Sequence, residues 1–365
     1  MVCSTREDVD GILDYAHGLG ESLTLLHPVT VDLVVRRSGG WSSRRLGAGG
    51  GAERPAPSLA AALYGSDAVL LHYNPFSWGR WGFAPWLAPA LACLRLRRPE
   101  LALGVFFHER YLDMTDARST AMGSWQRLQF HAILRCATAA FASIDTWTTT
   151  LRRQTRARVA QLPICSNVPD ARGARDAARA ELGLDDSTLA VAIFGMSHPA
   201  RLTDHIERAV RAIAAAEPRV ALLNLGANPP PFARLKAVLP VIAPGRLDAE
   251  ALARHLSAAD LYLAPFIDGV SSRRTTLMAA LQHGIAVVGT DGPLTDPGLR
   301  AAHEALTLTA VADPDAFARA ALGLAADPAG RAQQGDAGRR LYERSHDWPV
   351  ACRVVLHVLG IGTSR

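Results

Sequence analysis

Residues 260–292 constrain this chain most. Leu261 to Ala264 is a short apolar run that Pro265 ends, and Ile285 to Gly289 is a second run whose valines suit a strand. Between them, Leu277, Met278, Ala280 and Leu281 fall at helical spacing. Gly284 stands where a helix C-terminus favours a left-handed residue. Two buried strands joined through a helix predict a right-handed βαβ unit with parallel strands, and so an α/β fold.

The start of that helix carries chemistry. Ser271 or Ser272 is the expected N-cap, with Arg273 and Arg274 in the first turn. Cations are disfavoured there, because the helix dipole already places partial positive charge at that end. An anion at the helix mouth would reverse the penalty. Backbone N–H groups, the hydroxyls of Ser271, Ser272, Thr275 and Thr276, and two guanidinium forks would then converge on it. In open α/β sheets the carboxyl ends of the strands are where ligands bind. The plainer alternative is that both arginines face solvent or pair with a carboxylate.

The chain has 365 residues, which suits two domains. Hydrophobic residues make up 49% and charged residues 20%, a globular composition and not a disordered one. The net charge of +5 favours anionic ligands without arguing for nucleic acid. Lys236 is the only lysine, and with abundant alanine this suggests a GC-rich bacterial genome. Five scattered cysteines argue against a disulfide framework or a zinc site and predict a reducing, cytoplasmic location. No apolar run is long enough for a membrane helix, and Arg6, Glu7, Asp8 and Asp10 do not suit a signal peptide.

Along the chain, residues 11–26 read as an amphipathic helix with Ile12, Tyr15, Leu19, Leu23 and Leu26 on one face, and Val31 to Val35 as a strand. Only Met1 to Ser4 remains for a strand before that helix, so either that strand is very short or the natural start lies upstream. Residues 38–57, rich in Gly, Ser, Arg and Pro, read as a mobile loop without the context of a phosphate-binding loop. Ala68 to His72 is a strand leading into 73–86, a loop dense in aromatics that includes Asn74, Trp78 and Trp81. Three roles are open for it: stacking on a ligand, contact with a membrane or partner beside Arg95, Arg97 and Arg98, or plain packing. Further strands are expected at Leu101–Phe107, Ala139–Ser143 and Val159–Ile164, with a helix from Trp125 to Ala137. His108 at the tip of the first of these runs suits either a ligand or a pair with Glu109. A domain boundary is placed at 169–187, after Cys165-Ser166-Asn167-Val168-Pro169. Strands follow at Leu189–Phe194, Val220–Leu225 and Pro240–Ile242, and helices from Arg201 to about Ala216, at Pro231–Val238 and at 249–258 with Asp248 as N-cap. Helices near 313–325 and 328–344 and a last one at 348–359 complete the pattern.

Taken together, these segments resemble the retaining GT-B glycosyltransferases of family 4. The resemblance rests on Asp10-Gly11-Ile12-Leu13-Asp14-Tyr15, on Cys165 to Pro169, on Phe194-Gly195 through Arg201, on Pro265-Phe266-Ile267-Asp268-Gly269 through Gly284, and on Tyr342-Glu343-Arg344 through Trp348-Pro349. It implies two Rossmann-like, doubly wound domains facing across a cleft. Residues 1–168 would be the acceptor domain, 169–345 the nucleotide-sugar domain, and 346–365 a helix crossing back to the first. The family often carries two glutamates eight positions apart; those positions here are Ser271 and Ala279, and the Ser-Ser-Arg-Arg sequence resembles a variant subgroup.

The activity implied is transfer of a sugar from a nucleoside diphosphate sugar to an acceptor hydroxyl or amine, with retention and with neither metal nor cofactor. Arg201, Arg273 and Arg274 would stabilise the departing diphosphate, and His108 would contact donor sugar or leaving group. Gly195, His198, Gly245, Arg246, Leu247, Asp268, Gly269, Val270, Ser271, Ser272 and Thr275 would bind the donor. Gly11, Asp14, Tyr15, Asn74, Trp78 and Trp81 would meet a sugar, lipid or natural-product acceptor, with peripheral membrane contact also open. An inverting reaction using His17 or His108 as base, or a non-catalytic relative, is the alternative.

Overall fold

The computed structural model describes residues 1–5, 11–38, 40–226 and 232–362. Asp10, part of the expected glycine loop, and Pro231, the expected start of a helix, lie outside them. The chain divides into two compact units, Met1–Pro163 with Trp348–Arg365, and Ile164–Asp347. The division falls upstream of the boundary expected near 169, and the link back falls at 347/348.

The first unit runs β1 (Val2–Ser4), α1 (Gly11–Leu26), β2 (Asp32–Arg37), β3 (Gly40–Arg45), β4 (Arg54–Ala56), α2 (Leu59–Ala62), β5 (Ala68–Tyr73), α3 (Pro75–Trp78), α4 (Leu87–Arg97), β6 (Ala102–Phe107), α5 (Ala117–Cys136), β7 (Ala139–Ala142), α6 (Asp145–Gln154) and β8 (Arg158–Gln161). Its sheet has the order β4-β3-β2-β1-β5-β6-β7-β8. The strands from β2 to β8 are parallel, and β3 and β4 add an antiparallel flap. The flap corrects the expectation of a mobile loop. Each of Asp32 to Arg37 finds a partner between Gly40 and Arg45, and Arg37 and Ser42 both bond Glu53. These pairings are non-local and leave no periodic signature in a Gly- and Ser-rich stretch.

The second unit holds α7 (Arg175–Glu181), β9 (Leu189–Phe194), α8 (Thr203–Ala216), β10 (Val220–Leu225), β11 (Val241–Ile242), α9 (Ala249–Ser257), β12 (Leu261–Ala264), α10 (Thr275–Gln282), β13 (Ala286–Asp291), α11 (Pro297–Ala301), β14 (Thr307–Ala310), α12 (Pro314–Ala326) and α13 (Pro328–Ser345). Its sheet is parallel throughout, in the order β11-β10-β9-β12-β13-β14. Alternation along β9 sends Leu189, Val191 and Ile193 into one core and Ala190 and Ala192 into the other. Both faces are buried, as helices on either side of a parallel sheet require. Residues 233–238, expected as a helix, are turns.

The last helix, α14 (Trp348–Leu359), belongs to the first unit. Its Trp348 ring lies 5.4 Å from that of Tyr15 on α1. Gly18 makes the approach possible: a Cβ there would stand 2.7 Å from the indole.

Candidate active site

In the second unit the strand order reverses direction between β9 and β12, which makes the space beyond their carboxyl ends the natural ligand crevice. The loops leaving these two strands are stitched together. Ile267 donates to the Ala200 carbonyl at 2.8 Å and Leu202 to the Pro265 carbonyl at 3.1 Å, an isolated bridge centred on Arg201 and Phe266. Phe266 then serves as a shelf for two cations. The Arg274 guanidinium sits 3.8 Å from its ring centroid and that of Arg201 5.3 Å.

Arg201 is only 7% exposed. One terminal nitrogen donates to the Phe194 carbonyl at 2.7 Å, while the buried Nε and Nη1 have no hydrogen-bond partner. A buried cation with two unanswered donors is costly unless an anion completes it. Ser271 Oγ, also fully buried, has no partner either. Gly195, at the end of β9, has φ +114°, and a Cβ there would press on Arg201 and Thr276. Only glycine lets the strand tip turn away at this closeness.

Arg273 and Arg274 both pair with Asp268. Burial lowers the pKa of Arg274 from its ordinary value, opposed by Asp268. Two expectations are corrected here. α10 begins at Thr275, with Arg274 itself at the N-cap, so the arginines precede the first turn. Ser272 is not the N-cap: its N–H and hydroxyl both bond Asp296, at 2.7 and 2.8 Å. Asp268 is accordingly an arginine clasp rather than an open sugar ligand. Val270 is fully buried core, and its N–H donates to Thr290, so its side chain is not presented to a ligand. Gly269 has φ +82°, and a Cβ there would meet the Thr295 hydroxyl at 2.2 Å. His198 is exposed, its Nδ1 accepting from Ala200, and partial desolvation followed by the charge of Arg274 depresses its pKa. Gly245, Arg246 and Leu247 follow β11, with Gly245 at φ +82°.

In the first unit, His108 follows β6 and lies 3.0 Å from His72, Nε2 to Nδ1, with the rings stacked. Burial drops the His108 pKa to about 3 and pushes that of His72 well below the usual range, so both imidazoles are neutral and one donates to the other. Tyr15 packs on both rings, is 1% exposed and donates its hydroxyl to the Pro163 carbonyl at 2.8 Å. Trp78 is likewise 1% exposed, and its indole N–H donates to the His72 carbonyl. The resemblance gave both to an acceptor; both are instead structural, Tyr15 in keeping with its place on the apolar face of α1, because their polar ends find backbone acceptors inside the core. Asn74 caps α3 through the Phe76 N–H. Trp81 is exposed, as are Gly11 and Asp14. Asp14 opens on a cavity of about 190 Å³ with an apolar floor of Leu33 and Val35 and a charged rim that includes Arg37 and Arg44.

Residues 190–327 match the family described as "Glycosyl transferases group 1". No curated protein matches the chain. Among solved structures, sucrose-phosphate synthase from Thermosynechococcus elongatus is 19% identical with a TM-score of 0.64, covering 98% of this chain and 94% of its own. WaaG, a glycosyltransferase involved in lipopolysaccharide biosynthesis, is 12% identical with a TM-score of 0.61, over 98% and 99%. Anabaena HepE in complex with UDP is 14% identical with a TM-score of 0.52, over 80% and 78%. The fold is the GT-B fold. These likenesses support glycosyl transfer as the class of activity.

Within the GT-B frame, the second-unit residues that come together are Gly195, His198, Arg201, Asp268, Gly269, Arg273 and Arg274. His108 and the acceptor candidates belong to the other unit. Sequence reasoning missed three supports: Phe266 as the cation shelf, Asp296 as the anchor of Ser272, and Thr290, whose hydroxyl both accepts from and donates to the Phe266 backbone. Asp296 carried a signal, an acid just before Pro297 at a helix start. Among the described residues, no group of three or more His, Cys, Asp or Glu is arranged to hold a metal ion. No described helix is long and apolar enough to cross a membrane.

Proposed function

We propose that this protein transfers a sugar from a nucleoside diphosphate sugar to an acceptor hydroxyl or amine, with retention of anomeric configuration and without a metal ion. The observation that carries this reading is Arg201, buried at the tips of β9 and β12 with two unpartnered donors, beside Arg273 and Arg274. The diphosphate gathers negative charge as the glycosidic bond breaks, and a fixed set of guanidinium groups answers it without reorganising. The hydroxyl of Ser271, two residues before Arg273, is also buried without a partner. The acceptor would enter on the first unit, by Asp14 and Trp81. An inverting reaction with His108 as base is disfavoured, since an imidazole with a pKa near 3 is a weak base at neutral pH. The non-catalytic reading draws on one feature: Ala279, where the family often has a carboxylate, is fully buried.

The test is a thermal-shift series with UDP, GDP, ADP, CDP and dTDP. UDP heads it because HepE was solved with that nucleotide. A nucleotide at one hundred times its dissociation constant adds about 2.7 kcal/mol. The response should vanish in Arg201→Ala. If no nucleotide stabilises the protein, the donor site is vestigial. Proton NMR of the product then decides retention against inversion.

A further inference from the structure

We infer that Asp268 is a built-in substitute for the donor's diphosphate: it occupies Arg273 and Arg274 until the donor arrives and retakes them once the sugar has left. The inference rests on the donor reading proposed above and adds a residue that sets how tightly the site holds a nucleotide. Asp268 engages Arg273 through one carboxylate oxygen and Arg274 through the other. Two oxygens on two guanidinium groups is the arrangement a phosphate would offer the same pair. Arg274 lies within electrostatic reach of Arg201 as well as of Asp268 and Arg273. Asp268 nonetheless leaves Arg201 unanswered, its buried Nε and Nη1 without a hydrogen-bond partner. A single carboxylate satisfies the pair and stops there. Two linked phosphates carry enough oxygens for all three arginines.

The exchange asks only side chains to turn. The backbone of Asp268 is fixed: its carbonyl accepts from the Leu294 N–H at 2.9 Å, and the next N–H, of Gly269, donates to the Phe266 carbonyl at 3.0 Å. Gly292 packs so closely that a Cβ there would stand 2.6 Å from the Asp268 carbonyl carbon. The carboxylate therefore stays in place when an arginine turns to a ligand, and the pair can return to it. None of the three side chains is sealed: 16% of Asp268, 20% of Arg273 and 15% of Arg274 is open to solvent. The donor's apparent affinity is then reduced by the fraction of molecules in which the pair is free. After transfer, the return of Asp268 to the pair helps to expel the nucleoside diphosphate.

The experiment is calorimetric titration of the full chain with inorganic pyrophosphate and with UDP, on the wild type, Asp268→Asn and Arg201→Ala. Asparagine keeps the shape of the side chain and removes its charge. Asp268→Asn should bind both ligands about ten-fold more tightly, the gain expected if the pair is free in about a tenth of wild-type molecules. Arg201→Ala should bind both more weakly. A clasp that only held the arginines ready for a ligand would give Asp268→Asn the opposite sign. Equal or weaker binding by Asp268→Asn overturns the inference, and the donor reading stands without it if Arg201→Ala still loses affinity. Binding that Arg201→Ala leaves unchanged, or no binding by any of the three proteins, overturns both. Should Asp268→Asn not fold, a crystal structure of the wild type with pyrophosphate decides. Asp268 parted from Arg273 and Arg274, with phosphate oxygens in its place, supports the inference, and an intact clasp overturns it.

Discussion

Beyond β9 and β12, the second unit gathers three guanidinium groups, two of them on one carboxylate and the third on a backbone carbonyl; beyond β5 and β6, the first unit stacks two imidazoles that carry no charge. Both places are strand tips of a parallel sheet, so the architecture is shared and the chemistry is opposite. In the second unit, burial is set against donors that lack partners, which leaves a standing demand for an anion. In the first unit, burial has driven the protons off, and the aromatic wall of Tyr15 and Phe106 closes around what remains. The same backbone plan thus supports a charged binding end and a neutral one, depending on which side chains follow the strands.

The sharpest way to break this contrast is Arg201→Ala. Turnover should fall on the order of a hundred- to a thousand-fold, the usual cost of losing one preorganised donor to a developing anion. Steady-state rates with the donor found by thermal shift measure it, and a loss below ten-fold would mean that the demand is structural only. Acidification tests the neutral end. The folded pKa of His108, about 3, lies below its unfolded value, so the unfolded chain takes up the proton first as pH falls. Stability is complete above roughly pH 6.5 and declines toward pH 3, by up to about 1.4 kcal/mol per pH unit for each such histidine. His72 adds in the same direction, as does His346 in the second unit, with a pKa of about 4. Urea melts across that range should steepen with acid, and His108→Phe should flatten the slope. The catalytic pH profile should show no limb from His108 near neutrality.

Smaller effects sharpen the picture of how each unit is held. Gly18→Ala forces a methyl against Trp348 and should cost about 1–3 kcal/mol in the first unit, read as a lower urea midpoint. Asp248→Ala removes the side chain that accepts from Ala251 at the start of α9 and should cost about 1 kcal/mol in the second. If the units unfold separately, each substitution should move one transition and leave the other in place.

What could be read from the chain was local or periodic. The runs at 261–264 and 285–289 became β12 and β13, and the expected helix at 348–359 is α14. The acidic cap at Asp248 was legible for the same reason: its partner is three residues away. What could not be read involved distant pairs. Ser272 looked like a cap because serine usually is one, yet its hydroxyl answers Asp296, 24 residues on. Trp78 stood in an aromatic loop that suited a ligand site, but its indole finds a backbone carbonyl that only the folded chain supplies. The arginines at 273 and 274 were singled out by a dipole argument that assumed the helix began two residues too early. They still converge on one anion, and that anion is a carboxylate of the chain itself.

The return of α14 to the first unit sets an order on the birth of the protein. A ribosome delivers residues 1–163 first, but the indole that packs on Tyr15 comes nearly two hundred residues later. The second unit, uninterrupted in the chain, can complete its own core while the first still waits for Trp348. The earlier-made unit is therefore the later-finished one, and its exposed α1 surface is the stretch a chaperone would have most time to meet.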